Sequence, residues 1–391
     1  MNNLANPSQA PAHPQPRIRS VDFLRGLVMV LMAIDHVRVY SGIPAWGATP
    51  GIFFTRWVTH FCVPSFVFFA GTSAFLYGAK IKDRKQLSRF LFTRGFFLIV
   101  LEWTLIRFSW TFNWAYTQFT LAGVIWMLGW CMILLGLLIW LPRIAMLIIG
   151  ILLILCQQLF AHLPGLLPAN GRNAFSWYWE FIYPTGMENH PGISILYVIV
   201  PWIGVMMLGY CFGMLLLLDP AKRRKCCLLI GYSAIAVFIT ISCILTLRNS
   251  GQEDDRAFIY RFLDQRKYPP SVLYLLMTLG PVIALMPFAE RAKGRVADLF
   301  VMFGRIPLFY YLIHIPLIHI AALIVNLLRE GAIHQERYTT APYTHVPPEG
   351  RWSLPLLYLV FILVELLLYI ICKKYATYKG LHPEKKWLKY L

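Results

Sequence analysis

Ten apolar runs constrain this chain more than any other feature. They fall at roughly 21–40, 57–79, 90–107, 119–140, 142–161, 193–218, 226–247, 270–289, 304–328 and 353–373. A bilayer core accommodates about 20 apolar residues per helix. Backbone in hydrocarbon must satisfy its own hydrogen bonds, so runs of this length become helices. The expected fold is an all-α polytopic membrane protein, with about ten transmembrane helices in one bundle. Composition agrees: 58% of the 391 residues are hydrophobic and 14% are charged, against about 25% charged in a soluble domain.

The net charge of +18 is accounted for by loop bias. Basic residues cluster between the apolar runs, as the positive-inside rule requires. With the N-terminus in the cytoplasm, Arg19, Lys80 to Arg94, Arg143, Lys222 to Lys225, Arg291 to Arg295 and the C-terminal lysines all fall inside. Both termini are expected to be cytoplasmic, and no nucleic-acid partner is expected. Residues 1–16 hold four prolines and no apolar run, which reads as a disordered tail. Residues 17–391 read as one membrane domain. The stretch after Arg19 is too polar and too long for a signal peptide and lacks an A-x-A end. The cysteines form no CxxC pair, so neither a disulfide framework nor a zinc ribbon is expected.

The first run carries Asp22, Arg25, Asp35, His36 and Arg38. Ionisable groups inside a span are costly and point to function. Arg25 and His36 are eleven residues apart, which is close to three full turns. They therefore share one face and lie roughly 16 Å apart along the axis. Depth along the other runs places His60, His314 and His319 at levels near His36, in the middle-to-outer half of the bilayer. Arg25 and Arg305 stay near the cytoplasmic face. His36 beside Asp35 suits a general base, because neutral imidazole takes a proton near neutral pH and a carboxylate can orient it. Neighbours on a helix diverge by about 100°, so Asp35 need not touch the ring. His36 could equally be a helix-end histidine at headgroup level, and His314 or His319 could satisfy carbonyls freed by Pro307 and Pro316. No HExxH-like spacing supports a metal, and none is expected.

Glu102 and Glu365 are carboxylates within spans and need partners, with Arg94 two turns from Glu102 on the same helix. Pro269 and Pro270 in Lys267-Tyr-Pro-Pro fix an extended entry to a helix, and Tyr268 is a candidate substrate contact. The aromatic cluster Phe175, Trp177, Tyr178, Trp179, Phe181 and Tyr183 reads either as an interfacial belt or as a platform for sugar rings.

Arg19-Ser-Val-Asp-Phe-Leu-Arg-Gly26, the Arg25-x10-His36 spacing and His60-Phe-Cys-Val-Pro-Ser-Phe-Val-Phe-Phe-Ala-Gly71 resemble the transmembrane acyltransferases. Lys267-Tyr-Pro-Pro and Gly304-Arg-Ile-Pro-Leu-Phe-Tyr-Tyr resemble the bacterial branch of that group, which is similar to the catalytic domain of heparan-alpha-glucosaminide N-acetyltransferase. The likeness runs over almost the whole chain after residue 16. It implies an enzyme of about ten spans in a bacterial inner (cytoplasmic) membrane, and leaves homo-oligomerisation open. The enzyme would use cytosolic acetyl-CoA to acetylate a sugar or glycan across the bilayer. It also implies that His36 is the catalytic histidine; Asp35 beside it, and His60, His314 and His319 at similar depth, are further candidates from the residues themselves. Residues 42–56 contain no histidine, so a histidine in the loop after the first helix is not available. Arg25 and Arg305 suit CoA phosphates, for which guanidinium forks are matched. Two other classes fit the same pattern. One is a transporter of a small polar solute, with broken helices and buried charges. The other is a non-catalytic envelope-assembly scaffold.

Overall fold

A computed structural model describes residues 18–45, 49–166, 168, 177–184, 192–248 and 256–389. The expected disordered tail at 1–16 lies outside the described residues. Helices dominate. Pro50–Ile81, Pro220–Arg248, Val272–Arg291, Pro307–Glu330 and Leu354–Leu381 are long and apolar enough to cross a membrane. Val124–Leu138, Arg143–Leu155 and Trp202–Leu217 are shorter apolar helices at the expected fourth, fifth and sixth runs. The first helix runs Arg19–Tyr40, and the third run forms Arg84–Leu101. The chain is an integral membrane protein.

The local sequence explains the breaks. Asp83 caps the Arg84–Leu101 helix by accepting from the Lys85 and Gln86 amides, which meets donors that a helix start leaves open. That helix widens into a π-turn at Glu102–Ile106 before the short Arg107–Thr111 segment. The ninth run, expected to begin at residue 304, is divided. An amphipathic helix Arg295–Arg305 ends before Ile306, and Pro307 opens the next helix. Proline lacks an amide proton and suits a first-turn position, so the break falls where the sequence places it. Two connections between helices pair as a short parallel sheet, Thr120–Ala122 with Ile193–Ile195, which the apolar pattern does not announce.

Helices approach closely where glycines face each other's backbone. A Cβ on Gly26 would lie 1.9 Å from the Phe300 carbonyl oxygen, and one on Gly304 would lie 1.8 Å from that of Asp22. Small residues at such crossings let membrane helices meet backbone to backbone. The first helix and Arg295–Arg305 are locked together in this way, and this brings Gly304 beside Arg25.

Candidate active site

One face of the first helix lines a path through the bundle. Arg25, Met29 and Met32 line an inner cavity at the Arg19 end of the helix. Met32 and His36 line an outer chamber towards the Tyr40 end. These four positions are spaced by four, three and four residues, the register of a single helical stripe. The expected sharing of a face by Arg25 and His36 is therefore present as a lined surface.

His36 is paired. Its Nδ1 lies 2.7 Å from Nε2 of His314, and the rings stack with centroids 4.9 Å apart. His314 is fully buried. Its Nδ1 faces the Tyr311 carbonyl at 2.7 Å and that of Tyr310 at 3.2 Å. Carbonyls only accept, so His314 Nδ1 carries the proton. In the neutral ring His314 Nε2 is then an acceptor, and His36 Nδ1 must donate to it. The remaining lone pair of His36 is on Nε2, which makes no hydrogen bond among the described residues. The backbone of Pro307–Glu330 thus sets the tautomer of a histidine on another helix. Trp110 closes one side of His36, edge-on at 4.8 Å.

The outer chamber encloses about 520 Å³. Asp35, Arg38, Arg56, Glu102, Lys267 and Arg351 supply its charges. Asp35 does not orient His36. Its Oδ1 accepts from Arg38 Nε at 2.9 Å, while Arg38 Nη1 donates to the Ile43 carbonyl at 3.0 Å. Lys267 is nearly buried. Burial works against its charge, but the Tyr268 phenol and the Asp35 carboxylate outweigh it and hold the ammonium above the ordinary lysine value. Tyr268 also lines the chamber, 3.3 Å from the Tyr197 hydroxyl.

The inner cavity encloses about 590 Å³ and has a basic mouth: Arg25, Lys80, Arg94, Arg305 and Lys379 line it. No carboxylate lines it among the described residues. Arg25 donates to Ser73 Oγ at 2.6 Å and to the Phe69 and Gly304 carbonyls at 3.3 and 3.4 Å. Asp22 lies 3.9 Å from Arg25 and 3.8 Å from Arg305, bridging the two guanidinium groups. Beyond the mouth the walls turn apolar, with Leu98, Leu128, Met132 and Leu308. Met32, Phe66, Val124 and Tyr311 line both cavities, so the two meet there.

His60 and His319 lie away from this path. His60 is buried and lines neither cavity. Its ring meets Tyr274 edge-on at 5.5 Å, and its carbonyl accepts from the Tyr274 hydroxyl at 2.8 Å. His319 bolts the outer loop to the bundle: Nε2 is 3.0 Å from Gln335 Oε1, Nδ1 is 3.3 Å from the Ser109 carbonyl, and Phe112 stacks at 3.9 Å. Glu102 finds its partners on another helix rather than in Arg94. Its Oε2 accepts from the Ile125 and Trp126 amides, both at 3.0 Å, and so caps Val124–Leu138 where Gly123 offers no side chain. Glu365 accepts from the Tyr310 hydroxyl. In the aromatic cluster, Phe175 lies outside the described residues. Trp179 donates to the Phe160 carbonyl at 2.8 Å and Phe181 rests on Trp126 at 5.3 Å, so these two rings pack onto the bundle. The His36–His314 pair, the Trp110 wall and the junction position of Tyr311 join distant helices and leave no local signal in the sequence. The i, i+3 spacing of Asp35 and Arg38 was the one local signal that could have paired them.

Fold and site define a class: a helical membrane protein whose bundle encloses a histidine pair between a basic mouth and a polar chamber. The chain belongs to the family described as heparan-alpha-glucosaminide N-acetyltransferase, catalytic, which matches residues 17–243. Membership makes it a membrane acetyltransferase in kind. No curated protein matches the chain. Arg25, His36 and Trp110 fall inside the matched residues, while Lys267, Arg305, Tyr311 and His314 fall beyond them and reach the site through the fold.

Proposed function

We propose that the protein takes an acetyl group from cytosolic acetyl-CoA and transfers it to an amino or hydroxyl group of an extracytoplasmic sugar or glycan, in a bacterial inner membrane. The observation that carries this reading is the stripe Arg25–Met29–Met32–His36, which joins the basic mouth to the histidine pair. The CoA phosphates bind at the mouth, where Arg25 and Arg305 offer guanidinium donors to phosphate oxygens. The pantetheine arm lies along the apolar walls. The roughly 16 Å between Arg25 and His36 suits its length, and the thioester comes to rest at the junction. The acceptor enters the outer chamber, so donor and acceptor meet without either crossing the membrane.

His36 acts as general base through Nε2. It removes the acceptor proton as the nitrogen or oxygen attacks the thioester carbon. The C–S bond then breaks with its electron pair on sulfur, and the proton on Nε2 passes to the thiolate. His314 holds the ring in the tautomer that leaves Nε2 basic, and its Nε2 accepts throughout from the His36 Nδ1 proton.

Calorimetric titration of the purified protein with acetyl-CoA tests the donor side. Arg25→Leu is expected to raise the dissociation constant by about tenfold or more, since about 1.4 kcal/mol is tenfold and a charge-assisted hydrogen bond is worth about that. Unchanged affinity in a folded Arg25→Leu protein overturns the assignment of the mouth to the donor.

A further inference from the structure

We infer that Tyr311 is a catalytic residue whose hydroxyl donates a hydrogen bond to the acyl oxygen as negative charge develops there. This rests on the donor reading above.

Four residues line both cavities: Met32, Phe66, Val124 and Tyr311. A thioester whose phosphates occupy the inner mouth and whose carbonyl meets His36 must place that carbonyl among them. Of the four side chains only the Tyr311 phenol can donate a hydrogen bond. Attack on a thioester moves the carbonyl π pair onto oxygen, and in a water-poor junction that charge needs a fixed donor. Supplying one is commonly the largest single contribution to acyl-transfer catalysis.

Tyr311 is also held in place by the rest of the site. It is 6% exposed. Its own carbonyl accepts the His314 Nδ1 proton at 2.7 Å, so the residue that would bind the oxyanion also fixes the histidine pair. Its ring stands edge-on to His36, with centroids 6.5 Å apart at 83°, and meets His314 at 5.1 Å.

The step balances without further reactants. The acceptor lone pair forms a bond to the carbonyl carbon, and His36 Nε2 takes the acceptor proton. The oxyanion is held by the Tyr311 O–H, which keeps its proton. The oxygen pair then re-forms C=O, the C–S pair leaves on sulfur, and the sulfur is protonated from His36. Acetylated acceptor and free CoA thiol are the products.

The test uses the full chain in lipid nanodiscs with acetyl-CoA labelled with ¹³C at the carbonyl. In the wild-type protein the bound carbonyl stretch is expected below its frequency in an apolar solvent. Tyr311→Phe should return it upward while acetyl-CoA affinity is kept. The same variant should slow single-turnover acetyl transfer to methyl glucosaminide by about 10²–10³-fold, the usual loss for one oxyanion donor. Tyr311→difluorotyrosine preserves shape with a more acidic phenol and should lower the frequency further, so the proposal stays falsifiable if the phenylalanine variant does not fold. His36→Ala should keep the lowered frequency and lose transfer. An identical frequency in wild type, the phenylalanine variant and the difluorotyrosine variant overturns the role of Tyr311 while leaving the donor reading intact. Failure of the wild type to bind acetyl-CoA overturns the donor reading itself and this inference with it.

Discussion

His36 and His314 sit 278 positions apart, yet they behave as one unit, because a carbonyl fixes the proton on one ring and the other ring must respond. Four variants should fall in a definite order. His36→Ala should lose about 10²–10⁴-fold in turnover, the usual contribution of a positioned base, with donor binding and thermal stability near wild type. His314→Leu should fall between that variant and wild type, since His36 keeps a basic nitrogen but loses the partner that selects it. His60→Ala and His319→Ala should cost less turnover than either, because neither ring lines the path. Turnover assays with separate binding measurements check the order; an abolished His314 variant beside an active His36 variant would put the base on the other ring. Much of this was legible in the sequence. The Arg25–His36 register follows from the helical repeat alone. The partner of His36 does not, since no local rule links two helices so far apart in the chain. Asp35 shows the reverse: adjacency suggested His36, but the helix directs its carboxylate to Arg38, three residues on.

Elements position these residues through backbone contact more than through side-chain bulk. The crossing of Arg19–Tyr40 with Arg295–Arg305 depends on Gly26 and Gly304, and it sets the distance from Arg25 to the Gly304 carbonyl. Gly304→Ala should lower the unfolding temperature, since forcing atoms into a packed contact costs about 1–3 kcal/mol, and should weaken acetyl-CoA binding as Arg25 moves. Gly165→Ala, where a Cβ meets nothing within 4 Å, is the control. Thermal unfolding in detergent checks both, and equal stability of the two variants would remove the crossing from the account. The pair of glycines stands in the sequence, but nothing there says that they face each other. The Glu102 cap is hidden for the same reason. Its partners are main-chain amides at a helix start, and amides carry no sequence signature. Pro307, by contrast, announces its break openly.

At the scale of the whole molecule, the proposed route is sided: basic mouth in the cytoplasm, histidine chamber towards the far side. Ten spans with both termini inside would place reporter fusions after Leu218 and Leu391 in the cytoplasm and a fusion near Gly171 outside. A cytoplasmic reading at Gly171 would reverse the route assigned to the acceptor. The loop charges give the expected sidedness that these fusions test, and the apolar runs made the bundle readable. The cavities were not, because a path depends on which faces of several helices turn inward together. The most direct measurement is a cryo-electron microscopy map of the protein with CoA and an amino-sugar acceptor bound. The account predicts phosphate density beside Arg25 and Arg305 and the sulfur at the junction of Met32, Phe66, Val124 and Tyr311. His36 Nε2 should then lie within about 3–3.5 Å of the acceptor's attacking atom. Phosphates in the outer chamber, or a sulfur that stops at the mouth, would contradict it.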